Sequence, residues 1–111
     1  MQQDLLRIES RPGKSPETRI LDIEGPLTLA NLFAFQNELR KETPQLTVLD
    51  LSDVPYMDSA GMGAIINYYV SCQKNKRKVV LAGVSERVFA LLQLTNTDKL
   101  LTVVPSPADA E

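Results

Sequence analysis

The predominantly apolar run at residues 46–54 reads as a buried strand, and Pro55 stops it. Asp58-Ser59 then opens a helix predicted over residues 59–74. A hydroxyl at a helix start ordinarily serves as a cap. Here Gly61 and Gly63 follow at once. A helical glycine costs roughly 1 kcal/mol relative to alanine. Two such costs in the opening turns call for a reason, and close approach of another backbone or of a phosphate supplies one.

Around this centre, strand and helix alternate. Residues 5–10 read as a short edge strand, residues 11–16 as a Pro/Gly loop, and residues 19–24 as a half-buried strand with Leu21 and Ile23 on one side. These two strands predict an N-terminal hairpin. Thr28 is placed to cap a helix over residues 28–42, with Leu32, Phe35 and Leu39 on its inner face. Leu29 and Phe33 form a second, outer stripe; the alternative is a rotated helix with Phe33 in the core and Phe35 outside. In the helix from Ser59, the predicted inner stripe is Met62, Ile65, Ile66 and Tyr69. A strand at 78–82, a helix opened by Ser85-Glu86 and a last strand at 100–104 complete the pattern. The tail at 105–111 has a Ser cap and a first-position proline, but is too short for an independent helix. The expectation is one α/β domain over residues 1–111, a mixed central sheet with right-handed crossovers and a C-terminal helix short or absent.

Composition removes several chemistries. The chain has no histidine, which excludes a Ser-His dyad, a His zinc site and a phosphohistidine relay. Cys72 is the sole cysteine, so no internal disulfide forms, and a small semi-buried thiol is expected. The formal charge of −2, with both signs interspersed, argues against a nucleic-acid binder. Lys74, Lys76, Arg77 and Lys78 form the one dense basic cluster; it reads as a solvated helix end, with a phosphate site as the alternative. No signal peptide or membrane-length apolar stretch is present, so a cytoplasmic protein without membrane insertion is expected.

The segments Val48-Leu49-Asp50-Leu51-Ser52-Asp53-Val54 and Met57-Asp58-Ser59-Ala60-Gly61-Met62-Gly63, with Val79-Val80-Leu81-Ala82-Gly83-Val84 downstream, resemble the STAS domains of bacterial anti-sigma factor antagonists. The resemblance covers residues 18–104. It implies a small domain that binds an anti-sigma factor with serine kinase activity and thereby frees a sigma factor for transcription. It further implies that Ser59 is phosphorylated, that the phosphorylated form lets go, and that a phosphatase resets it. The partner-binding residues it implies, taken with the exposed stripe, are Asp58, Ser59, Ala60, Gly61, Met62, Gly63, Thr28, Leu29 and Phe33. Thr28 stands where many relatives carry an acid, so Leu29 and Phe33 are expected to compensate by apolar docking. Monomer and weak dimer are both left open.

The same residues admit other roles. A scaffold role, in a stress-sensing complex or on a transport ATPase, uses the same surface without obligatory phosphorylation. Asp58 either caps the helix or orients the Ser59 hydroxyl. A magnesium pocket of Asp50, Asp53 and Asp58 competes with simple turn-forming roles. Catalysis is not expected, and neither is a metal or cofactor. Ser59-Ala60-Gly61-Met62-Gly63 lacks the lysine and spacing of a phosphate loop, the third glycine of a dinucleotide fingerprint and a Gly-x-Ser-x-Gly elbow.

Overall fold

The computed structural model describes residues 5–111. Among these, five strands form one sheet in the order β1-β2-β3-β4-β5: β1 Arg7–Pro12, β2 Thr18–Glu24, β3 Leu46–Asp53, β4 Lys78–Ala82 and β5 Thr102–Val104. β1 pairs antiparallel with β2, and every later pairing is parallel. The hairpin and the mixed sheet are as the sequence predicts. β1 lies two residues later than expected, because Arg11 and Pro12 pair with Ile20 and Arg19 instead of joining the loop.

The helices are α1 Leu32–Arg40, α2 Ser59–Lys74 and α3 Glu86–Leu94. All three pack on one sheet face. Phe35 and Leu39 of α1, Ala64, Ile65 and Cys72 of α2, and Val88 and Leu92 of α3 share a core with Leu21, Ile23, Leu49, Leu51, Val79 and Leu81. These strand residues recur at intervals of two, as strand geometry requires for one face. Adjacent parallel strands joined over the same face give crossovers of one hand.

Two helix predictions are corrected. α1 does not begin at Thr28: a 3-10 turn at Leu29–Asn31 precedes it, Thr28 makes no side-chain cap, and the helix ends at Arg40. The core-facing stripe of α2 is rotated from the predicted one. Gly61, Ala64, Ile65 and Cys72 are its buried residues, while Met62, Ile66 and Tyr69 pack at the margin. The small residues Ala64 and Cys72 lie in the core over the sheet, while Gly61 packs against the Leu27 loop. Cys72 is fully buried.

The opposite sheet face carries a smaller cluster of Ile20, Val48 and Ala82. The tail covers it. Pro107–Ala110 form a 3-10 turn locked by a Ser106–Asp109 capping box, with Ala110 against the cluster. The Glu111 carboxylate accepts the Lys14 N–H at 2.6 Å. The tail is therefore ordered by docking, since its length alone would not sustain a helix.

Candidate functional site

The site lies where β2 and β3 end, at the carboxyl edge of the parallel strands, the usual place for function in such sheets. Two loops are laced together there. The Gly25 N–H donates to the Asp53 carbonyl at 3.1 Å, the Leu27 N–H to the Tyr56 carbonyl at 3.2 Å, and the Asp58 N–H to the Leu27 carbonyl at 3.1 Å. Leu27 and Met57 form an isolated parallel bridge. Both side chains are buried and join the main core. The Asn31 side chain donates to the Pro26 carbonyl at 2.8 Å, fixing the loop ahead of α1.

Asp58 ties this unit together. It is the N-cap of α2, with extended backbone, and its Oδ1 accepts the Gly61 N–H at 3.0 Å. Its Oδ2 accepts the Leu29 N–H, also at 3.0 Å, from the facing loop. The Gly61 N–H is the main cause holding this carboxyl below its ordinary value; burial opposes the shift, and the Leu29 N–H adds to it. Asp58 is thus an ionised cap shared by two elements. The cap reading of Asp58 is the one the geometry supports.

Ser59 is left without capping duty. It occupies the first helical position and is exposed, and its hydroxyl forms no hydrogen bond within the described residues. The two glycines divide. A Cβ on Gly61 would run into the Leu27 carbonyl, so its reason is close backbone approach within the chain. A Cβ on Gly63 would meet nothing within 4 Å. Around Ser59, Ala60 and Gly63 are half-exposed, and Met62 is half-buried with its sulfur accepting the Thr95 hydroxyl at 3.3 Å.

Across the lacing, Leu29 is 68 % exposed and Phe33 76 %, whereas Phe35 is 0 % exposed. The helix is not rotated, and the outer stripe is real. The Asp58 bond to the Leu29 N–H ties the backbone at the start of this stripe to the residue before Ser59. Thr28 is half-exposed beside them. Sequence reading missed Arg87, whose guanidinium lies 5.0 Å from the centre of the Tyr56 ring, a cation–π contact bordering the loop between β3 and α2. No local pattern marks it, because the two residues belong to separate elements.

A sequence profile of the STAS domain matches residues 11–110. The chain belongs to the STAS domain family. Among curated STAS relatives, the anti-sigma-B factor antagonist of Listeria monocytogenes is 33 % identical over 55 residues, 50 % of this chain and 48 % of that protein. The chain thus matches that relative over about half its length. A solved anti-sigma factor antagonist from Mycobacterium paratuberculosis superposes with a TM-score of 0.86 at 18 % identity, covering 98 % of this chain and 93 % of the other. A sulfate transporter family protein from Wolinella succinogenes superposes with a TM-score of 0.71 at 27 % identity, covering 85 % and 81 %.

Within this STAS domain, the three acids at the strand end do not converge. Asp50 accepts from the Ser52 backbone and hydroxyl at 3.1 and 2.8 Å, while Asp58 is committed to Leu29 and Gly61. Among the described residues, no group of three or more His, Cys, Asp or Glu is placed to hold a metal ion. None of the described helices is long and apolar enough to cross a membrane.

Proposed function

We propose that this STAS domain is an anti-sigma factor antagonist, a binding protein and not an enzyme, switched by phosphorylation of Ser59. The observation that carries the reading is the division of labour at the start of α2. Asp58 does the capping, so Ser59 presents a free, exposed hydroxyl beside an apolar stripe. Leu29 and Phe33 provide apolar anchors, Ala60 and Gly63 a bare approach, and Thr28 a short polar edge. Gly61 and Met62 shape the turn from beneath. The Listeria relative carries the same functional name.

In the switching step, the Ser59 oxygen attacks the γ-phosphorus of ATP held by a serine kinase partner. The bond to ADP breaks, and the hydroxyl proton passes to a base of the kinase. The product carries about −1.5 to −2 charges near neutral pH. The α2 N-terminus tolerates this charge, because its dipole is positive there and no acid lies in its first turn beyond the cap. The domain therefore stays folded. The docked partner does not tolerate it: an uncompensated interfacial charge costs roughly 2–5 kcal/mol. That corresponds to an affinity loss of roughly 30- to 3000-fold. A phosphatase restores binding.

The test is incubation with ATP and the anti-sigma factor that binds this chain, followed by mass spectrometry of the peptide spanning residues 56–74. Phosphate on Ser59 is the expected result. A bound kinase that leaves Ser59 unlabelled would overturn the switch.

A further inference from the structure

We propose that the cleft between α1 and α2 binds a small organic anion through Arg40 and Arg77. The cleft opens at the other end of the domain from Ser59. Thr43 precedes β3 and Arg77 precedes β4, so their rim is the amino-terminal edge of the parallel strands. Its volume is about 350 Å³, within the range of small-molecule sites. Leu39 and Ala64 give it a buried apolar floor, while Gln36 and Asn67 add amide groups to the walls.

The charges of this cleft do not balance internally. Glu42 is the acid lining it, and its carboxylate lies 3.4 Å from Arg19, outside the cleft. Among the described residues, neither Arg40 nor Arg77 is paired with a carboxylate. Arg77 is half-buried, and its Nε is buried with no hydrogen-bond partner. A buried donor of this kind calls for an acceptor. The neighbouring groups do not supply a negative one. The Tyr68 hydroxyl is engaged with Thr47 at 2.6 Å, and the Cys72 thiol, which lies against the Arg77 guanidinium, is pushed up by burial and so stays neutral.

Arg40 alone would be an ordinary cation in the last turn of α1. What sets it apart is a second guanidinium on the same cleft. The basic cluster read from the sequence also divides here: Lys74, Lys76 and Lys78 are exposed, and only Arg77 turns inward. Two unpaired guanidinium groups over an apolar floor fit a carboxylate or phosphate on a compact organic body, held by paired N–H···O contacts.

The test is a ¹⁵N–¹H titration of the whole chain with inorganic phosphate and, separately, with succinate, at constant ionic strength in chloride. The signals followed are the Arg40 and Arg77 Nε–H groups and the Asn67 and Ser71 amides, which distinguish this cleft from the α2 N-terminus. Saturable shifts with a Kd of about 1 mM or tighter are expected for at least one probe. Phosphate alone would identify a phosphoryl ligand, and succinate alone a carboxylate. Arg40→Gln, at an exposed position where folding is undisturbed, should weaken binding about tenfold. Linear shifts with both probes up to about 20 mM, or an unchanged curve in Arg40→Gln, would overturn the proposal.

Discussion

Asp58 and Ser59 are neighbours with separate tasks, and the separation can be measured. The Asp58 carboxyl is held below its ordinary value by the Gly61 and Leu29 N–H groups. A depressed folded-state pKa adds stability above the unfolded value, about 3.9 for aspartate, and that stability is lost as pH falls through the folded value. Asp58→Ala should cost about 1 kcal/mol at pH 7 in urea denaturation. The gap to the unmodified chain should narrow on acidification below about pH 4. A gap independent of pH would contradict the shared ionised cap. The two glycines give a paired prediction. Gly61→Ala should destabilise by roughly 1–3 kcal/mol, since the new methyl meets the Leu27 carbonyl. Gly63→Ala should stabilise by about 0.5–1 kcal/mol, since nothing opposes it and a flexible unfolded residue is removed. A Gly61→Ala variant as stable as the unmodified chain would contradict the assignment of Gly61 to internal packing. The motif itself was legible in the sequence, but a close backbone and a phosphate were equally open as reasons for its two glycines, and a backbone accounts for Gly61 alone. Which glycine met that backbone was not legible, because Leu27 comes from a distant loop.

At the scale of elements, α1 offers the sharpest contrast. Phe33 and Phe35 lie two residues apart on opposite sides, one exposed and one fully buried. Phe33→Ser should lower affinity for the anti-sigma partner while thermal unfolding barely moves. Phe35→Ala should cost roughly 3–5 kcal/mol, as expected for emptying a core position. A large drop in stability from Phe33→Ser would place that ring in the core and remove it from the docking surface. The start of α2 was readable because Pro55 and the Asp58 cap precede it locally. The start of α1 was not. A 3-10 turn at Leu29–Asn31 precedes it, and the Leu29 N–H that opens this turn is served from outside, by the Asp58 carboxylate across the lacing, which no nearby residue records. The inner stripe of α2 was also misplaced, since periodicity ranks large apolar residues highest. Close packing selects small residues instead: Gly61 against the Leu27 loop, and Ala64 and Cys72 in the core over the sheet.

At the scale of the molecule, the alternation of strand and helix determined the architecture, since sequential parallel strands leave few ways to connect. The consequence for function is that all three helices share one face, and the two that bear Phe33 and Ser59 are adjacent. The exposed apolar stripe and the hydroxyl therefore stand on a scaffold fixed by the core, and a charge added at Ser59 has no need to remodel it. The most direct measurement is the affinity of Ser59→Asp, against that of the unmodified chain, for the serine-kinase anti-sigma factor, with the melting temperature of each recorded alongside. The account predicts a loss of at least about 30-fold with melting unchanged. Equal affinity in a folded variant would contradict it.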